Sequence, residues 1–149
     1  MCASGSWDEL VIGLCDLAVE FDAATYLHEN LVVLSSRAEI PDDQAGSIRV
    51  SRFDDESARV ETGWCFNLVV DYVFDDETRP APALEVVEAI CSGRAQESCL
   101  LDSSGNWVGV RAEAWTSSGS RWTSGTSRSS TRQVTRRFPT WADPNLRGS

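Results

Sequence analysis

The sequence predicts an α+β fold, a two-layer sandwich in which a mainly antiparallel sheet of about five strands carries two or three helices on one face. Three observations point there. One stretch repeats its apolar residues every three or four positions, another alternates strictly between apolar and polar residues, and the connections between elements are short, which makes neighbouring strands antiparallel. At 149 residues, with 42% hydrophobic and 24% charged residues, the chain has the size and composition of one globular domain spanning 1–149.

A helix starts at Trp7. Ser6 and Glu9 form a capping box that satisfies N–H groups of the first turn. Trp7, Leu10, Val11, Leu14, Leu17, Ala18 and Phe21 then make one apolar stripe. Glu9, Asp16 and Glu20 fall on the opposite side as an acidic rail. Ile12, Cys15 and Val19 lie between rail and stripe, so the apolar arc is wider than one core contact requires. Contact with a second helix or with residues 23–34 is one use for Ile12 and Val19; the apolar centre of an interface is the other.

The segment "AATYLHENLVVLSSRA" reads as a second helix, with a short strand at Leu31–Leu34 as its other reading. Residues 46–53 and 58–74 are strands joined by the acidic turn Asp54, Asp55 and Glu56. In the second, Val60, Thr62, Trp64, Phe66, Leu68, Val70, Tyr72 and Phe74 share one face, and Gly63 marks a bulge or bend. Pro80 and Pro82 suit a helix entrance, giving a short helix over 83–91 that Gly93 stops. Residues 96–101 and 107–115 form a hairpin around "DSSGN", and 132–138 a last strand. Between them, 11 of the 16 residues from Thr116 to Thr131 are Ser or Thr, a composition expected of a mobile loop. Residues 139–149 read as an extended tail.

No apolar run approaches the roughly 18–20 residues of a membrane span, and "MCASGSWDEL" lacks a basic leader, so a cytoplasmic protein is expected. Cysteines 2, 15, 65, 91 and 99 form no C-x-x-C pair and read as reduced structural thiols. Lysine is absent and all 13 basic residues are arginine, which fits codon bias in a GC-rich bacterial or phage genome.

Charge is segregated. Residues 1–90 carry 19 Asp and Glu against 5 Arg, a net of −14, while residues 91–149 carry 4 against 8, a net of +4. Arg121, Arg128, Arg132, Arg136 and Arg137, with Trp122, resemble the basic and aromatic segments that grip nucleic acid. The rest of the chain would repel that polyanion over a Debye length of about 8 Å. The arginines are therefore expected to fold against, or be steered by, the protein's own acidic half, and nucleic acid is not the expected partner.

Catalytic motifs are missing. His28 is the only histidine, and a small hydrolase-like enzyme would have to work through it. The acidic clusters lack the spacing of a calcium loop, so no metal or other cofactor is expected. What remains is a surface made of the rail Glu9, Asp16 and Glu20 with Ile12 and Val19, the turn Asp54, Asp55 and Glu56, and the cluster Asp75, Asp76 and Glu77. Such a surface suits a basic protein partner. The expected function is that of a non-enzymatic binding protein, an antitoxin-like or immunity-type inhibitor. The alternative is a phage-type connector or tail subunit assembled through opposite charges.

Overall fold

The computed structural model describes residues 6–38, 40–41, 44–73, 80–117, 119–125 and 132–141. Helix α1 (Trp7–Glu20) is followed by strands β1 (Ala23–His28), β2 (Leu31–Ser36), β3 (Ser47–Arg52), β4 (Ser57–Thr62) and β5 (Phe66–Asp71). Helix α2 (Pro82–Cys91) leads into β6 (Ala95–Leu101), β7 (Trp107–Trp115), β8 (Arg121–Gly125) and β9 (Arg132–Arg137). The α+β class holds, with one correction: the strands form two antiparallel sheets, a five-stranded meander β1-β2-β3-β4-β5 and a four-stranded sheet β8-β7-β6-β9.

α1 begins where the capping box places it, with Ser6 Oγ accepting from the Glu9 N–H at 3.1 Å. It ends at Phe21, and Asp22 turns the chain through a positive φ of 53°, a conformation that Asp tolerates better than most residues. The helix expected over 23–36 is instead the β1–β2 hairpin, turned at Glu29 and Asn30. The periodicity misled because Ala23 alone is buried in β1, so no alternation marks this edge strand.

The long strand expected over 58–74 is also a hairpin. Residues 63–65 turn it into β4 and β5, with Thr62 opposite Phe66 and Val60 opposite Leu68. A three-residue turn preserves the parity of the pattern, so the alternation reads straight through it. Gly63 is that bend, at φ 62°, and Trp64 sits exposed at the tip rather than in the core. Phe74 lies outside the described residues.

One row of the register, Leu27, Val32, Val50, Val60 and Leu68, runs across the inner face of the five-stranded sheet. α1 packs on β1, β2 and α2, while α2 packs on β4, β5, β6 and β7. The core holds Leu10, Leu14, Phe66, Tyr72, Val86 and Ile90. Trp141, expected in an extended tail, is buried and donates its ring N–H to the Ala45 carbonyl at 2.7 Å. Trp122 is partly buried against the core. The loop expected over 116–131 contains β8, hydrogen-bonded to β7; residues 126–131 and 142–149 lie outside the described residues. No helix among the described residues is long and apolar enough to cross a membrane.

The approach of the two helices depends on Gly13, where an added Cβ would lie 2.6 Å from Leu84 Cδ1. Gly13→Val is expected to cost about 1–3 kcal/mol by overpacking, read from urea unfolding. In a Leu84→Ala background the added cost should shrink, because the clashing methyls are gone.

Candidate functional site

α1 turns two different flanks to its surroundings. The Gly13 flank meets Leu84 of α2. The opposite flank carries Ile12, Cys15 and Val19, at steps of three and four that share one side of a helix, and α2 does not reach it. Ile12 is 63% and Val19 84% exposed. Val19 lines a cavity with Ala23 and Thr25 of the following strand, and both side chains still stand mostly in solvent. Glu9, Asp16 and Glu20 are exposed alongside them, with no ion-pair partner among the described residues.

Below that flank, Cys15, Ala18, Val19, Asp22, Ala23, Thr25 and Arg37 line a cavity of about 400 Å³ between α1 and β1. Asp22 and Arg37 pair at 3.1 Å at its end. Leu27, on the inner face of β1, is 53% exposed, because β1 is the edge of its sheet and only the α1 overhang stands above it.

The other predicted acidic residues do different work. Asp54 accepts from the Glu56 and Ser57 N–H groups at 2.8 and 2.7 Å, so its carboxylate closes the β3–β4 turn. Asp55 pairs with Arg52 at 3.2 Å, and Glu56 offers its carbonyl to the Tyr72 and Val73 N–H groups. The turn stands near the start of α1, since the Tyr72 hydroxyl donates to the Asp54 carbonyl and the Tyr72 ring meets Trp7 edge-on at 5.8 Å. Asp75, Asp76 and Glu77 lie outside the described residues. His28 ends β1, and its side chain has no hydrogen-bond or ionic partner among the described residues.

Arg136 lies over the Trp64 ring of the first half, while Arg121 and Arg136 make ion pairs within the C-terminal half. Arg136 pairs with Glu97 at 2.9 Å and Arg121 with Glu113 at 3.9 Å, and Arg137 donates to the Gly93 carbonyl and lies over Trp115. These partners belong to the same C-terminal half, so they leave the rail unneutralised. Arg128 lies outside the described residues. Pairing followed register: Arg136 sits directly opposite Glu97 on neighbouring strands.

Sequence reasoning missed Glu97. It is 1% exposed and accepts from the backbone N–H groups of Trp64, Cys65 and Phe66 at 3.0, 2.7 and 3.1 Å. Arg136 completes the carboxylate's shell while stacking 3.9 Å above the Trp64 ring. A signal did exist, a glutamate at an inward position of an otherwise buried strand. Burial, the adjacent Glu97 carboxylate and Cys99 push the Cys65 thiol up from 9.0 to about 12; burial raises Cys91 further. Beside Trp64, a cavity of about 370 Å³ is lined by Arg49, Glu61 and Asn67 among others, with no histidine. Among the described residues, no cluster of His, Cys, Asp or Glu could hold a metal.

No protein-family model matches the chain, and neither a curated protein nor a solved structure matches it.

Glu97→Ala should cost about 3–5 kcal/mol, because it strands a partly buried guanidinium and three N–H donors. Arg136→Met should cost less, since the carboxylate keeps its three backbone bonds; chemical denaturation of both variants checks the order. Cys65 and Cys91 should resist iodoacetamide at pH 8.5 until the protein is unfolded, as mapped by mass spectrometry. Both thiols are held neutral, so their contribution to stability is complete below about pH 9 and is lost as the pH rises through the folded values.

Proposed function

We propose that this chain is a non-enzymatic protein-binding protein of the antitoxin or immunity type, which presents the outer flank of α1 to a basic partner. The observation that carries the reading is Ile12 and Val19 standing exposed beside three unpaired carboxylates. That arrangement combines an apolar centre with a charged border, the composition of a specific interface. The unneutralised rail would steer a cationic macromolecule and raise its association rate. Cytoplasmic residence belongs to the same reading.

A second reading, head-to-tail assembly of a phage-type subunit, is favoured by β9. It is an edge strand bearing Arg132 and an exposed Val134, a basic and apolar counterpart to the acidic flank of α1. A ring or filament would result from joining unlike surfaces.

Co-expression with the products of adjacent genes tests the first reading: a bound partner whose toxicity is suppressed is the expected result, and neither binding nor protection ends it. Association with that partner should slow by about tenfold or more in the Asp16→Arg, Glu20→Arg double variant and fall with salt. Light scattering separates the second reading, which requires an oligomer.

A further inference from the structure

Four strands border the two sheets, and three of their edges are guarded. β5 is crossed by β8, whose Ser124 hydroxyl donates to the Asn67 carbonyl at 2.6 Å. β8 carries Arg121 and ends in Gly125 at a positive φ of 139°. β9 carries Arg132, Arg136 and Arg137. Charges, bulges and covering segments are the usual devices that stop an edge from pairing with another chain. β1, with the sequence AATYLH, has none of them: no Asp, Glu, Arg, Gly or Pro, and no covering strand among the described residues.

Its free hydrogen-bonding groups can be assigned. The Arg37 N–H donates to the Asp22 carbonyl at 3.4 Å, just beyond the Ala23–Ser36 pair. Antiparallel pairs alternate between bonded and non-bonded, so Ala24, Tyr26 and His28 bond to β2. Ala23, Thr25 and Leu27 turn their N–H and C=O groups outward. Those same three residues point their side chains to the inner face, where α1 overhangs with Ile12, Cys15 and Val19. The edge therefore offers a ladder and, directly above it, an apolar shelf. Exposed Asp8 and Asp16 lie on α1 beside the residues of that shelf, and exposed Glu29, whose carbonyl accepts from the Trp7 ring N–H, stands by the start of the helix.

We infer that β1 is a strand-addition site for an extended, arginine- or lysine-bearing segment of a partner protein, whose alternate apolar side chains fill the shelf beneath Ile12, Cys15 and Val19. The inference rests on the protein-binding reading above and adds the mode of recognition. Backbone pairing supplies affinity in this mode, and alternate side chains supply specificity. Charge selects the occupant. Two copies joined edge to edge at β1 would bring two acidic rails together, each on a chain of net charge −10, whereas a cationic strand relieves the same field.

The probe is a short synthetic peptide of alternating valine and arginine, used alongside one N-methylated on the face that pairs and one with glutamate in place of arginine. Binding is followed by anisotropy and by amide shifts of 23–28 on the full chain. The expected result is saturable binding with shifts centred on Ala23, Thr25 and Leu27, about tenfold or more weaker for both altered peptides. Thr25→Pro should abolish it. The lost N–H faces away from β2, so the ladder to β2 survives, and an unchanged circular dichroism spectrum verifies this. Val19→Ser, at an exposed position, should weaken binding without affecting the fold.

Charge-dependent binding that persists with the N-methylated peptide and with Thr25→Pro overturns strand addition while leaving the acidic-surface reading intact. No amide shift at about 1 mM peptide also overturns it, and the co-expression assay then judges the broader reading on its own. An oligomer dissolved by Thr25→Pro would assign the edge to a second copy and overturn the basic partner.

Discussion

The carboxylate of Glu97 inside the β4–β5 turn is the interaction on which the rest of the architecture depends. A three-residue turn leaves its own N–H groups unpaired, and here they are buried against a second sheet. Such groups cost about 1–3 kcal/mol each if unmet. Glu97, reaching from β6, meets two of them, and the N–H of Phe66 at the start of β5, at once. A buried charge is itself expensive, and Arg136 from β9 offsets it while closing over Trp64. One group thus joins the tip of the first sheet to two strands of the second. The packing of Phe138 on Phe66 at 5.7 Å continues the contact into the core. Gly63 belongs to the same arrangement: an added Cβ would lie 2.8 Å from Glu97 Oε1 and 2.9 Å from the Phe138 ring.

Much of the fold was legible where a periodic pattern met a fully covered face. α1, β3, α2 and the β6–β7 hairpin follow from their spacing, caps and prolines, because each packs one side on the core. Two regions misled for opposite reasons. β1 lies at an open edge and buries little, so its residues carry no alternation. β4 and β5 bury so regularly that their turn left no break in the pattern; Gly63 was the only mark of it. β8 was hidden by composition, since serine and threonine pair in a ladder by their backbone whatever their side chains suggest.

The candidate site was legible in part. The rail and its two apolar neighbours emerge together on α1, as helical spacing requires. Whether α2 covers them could not be read from spacing alone, because that depends on where α2 docks. The turn carboxylates looked equivalent to the rail in sequence, yet Asp54 is consumed by backbone N–H groups two and three residues on. Which carboxylates the arginines meet was hidden, because a count over half the chain ignores register. Arg121, Arg136 and Arg137 are held by groups of the second half, and the rail on α1 has no ion-pair partner among the described residues.

The reach of Glu97 also orders events during synthesis. The turn it completes lies 31 to 33 positions earlier in the chain, and Trp141 reaches back 96 positions to Ala45. As the protein leaves the ribosome from its N-terminus, the meander emerges with its turn amides still seeking acceptors and its core unsealed. Closure waits for the last strand and the tryptophan beyond it. A nascent chain arrested before β6 would leave open the side of α2 that β6 and β7 cover and the Phe66 ring that Phe138 meets, and would be a natural client for a chaperone until translation resumed.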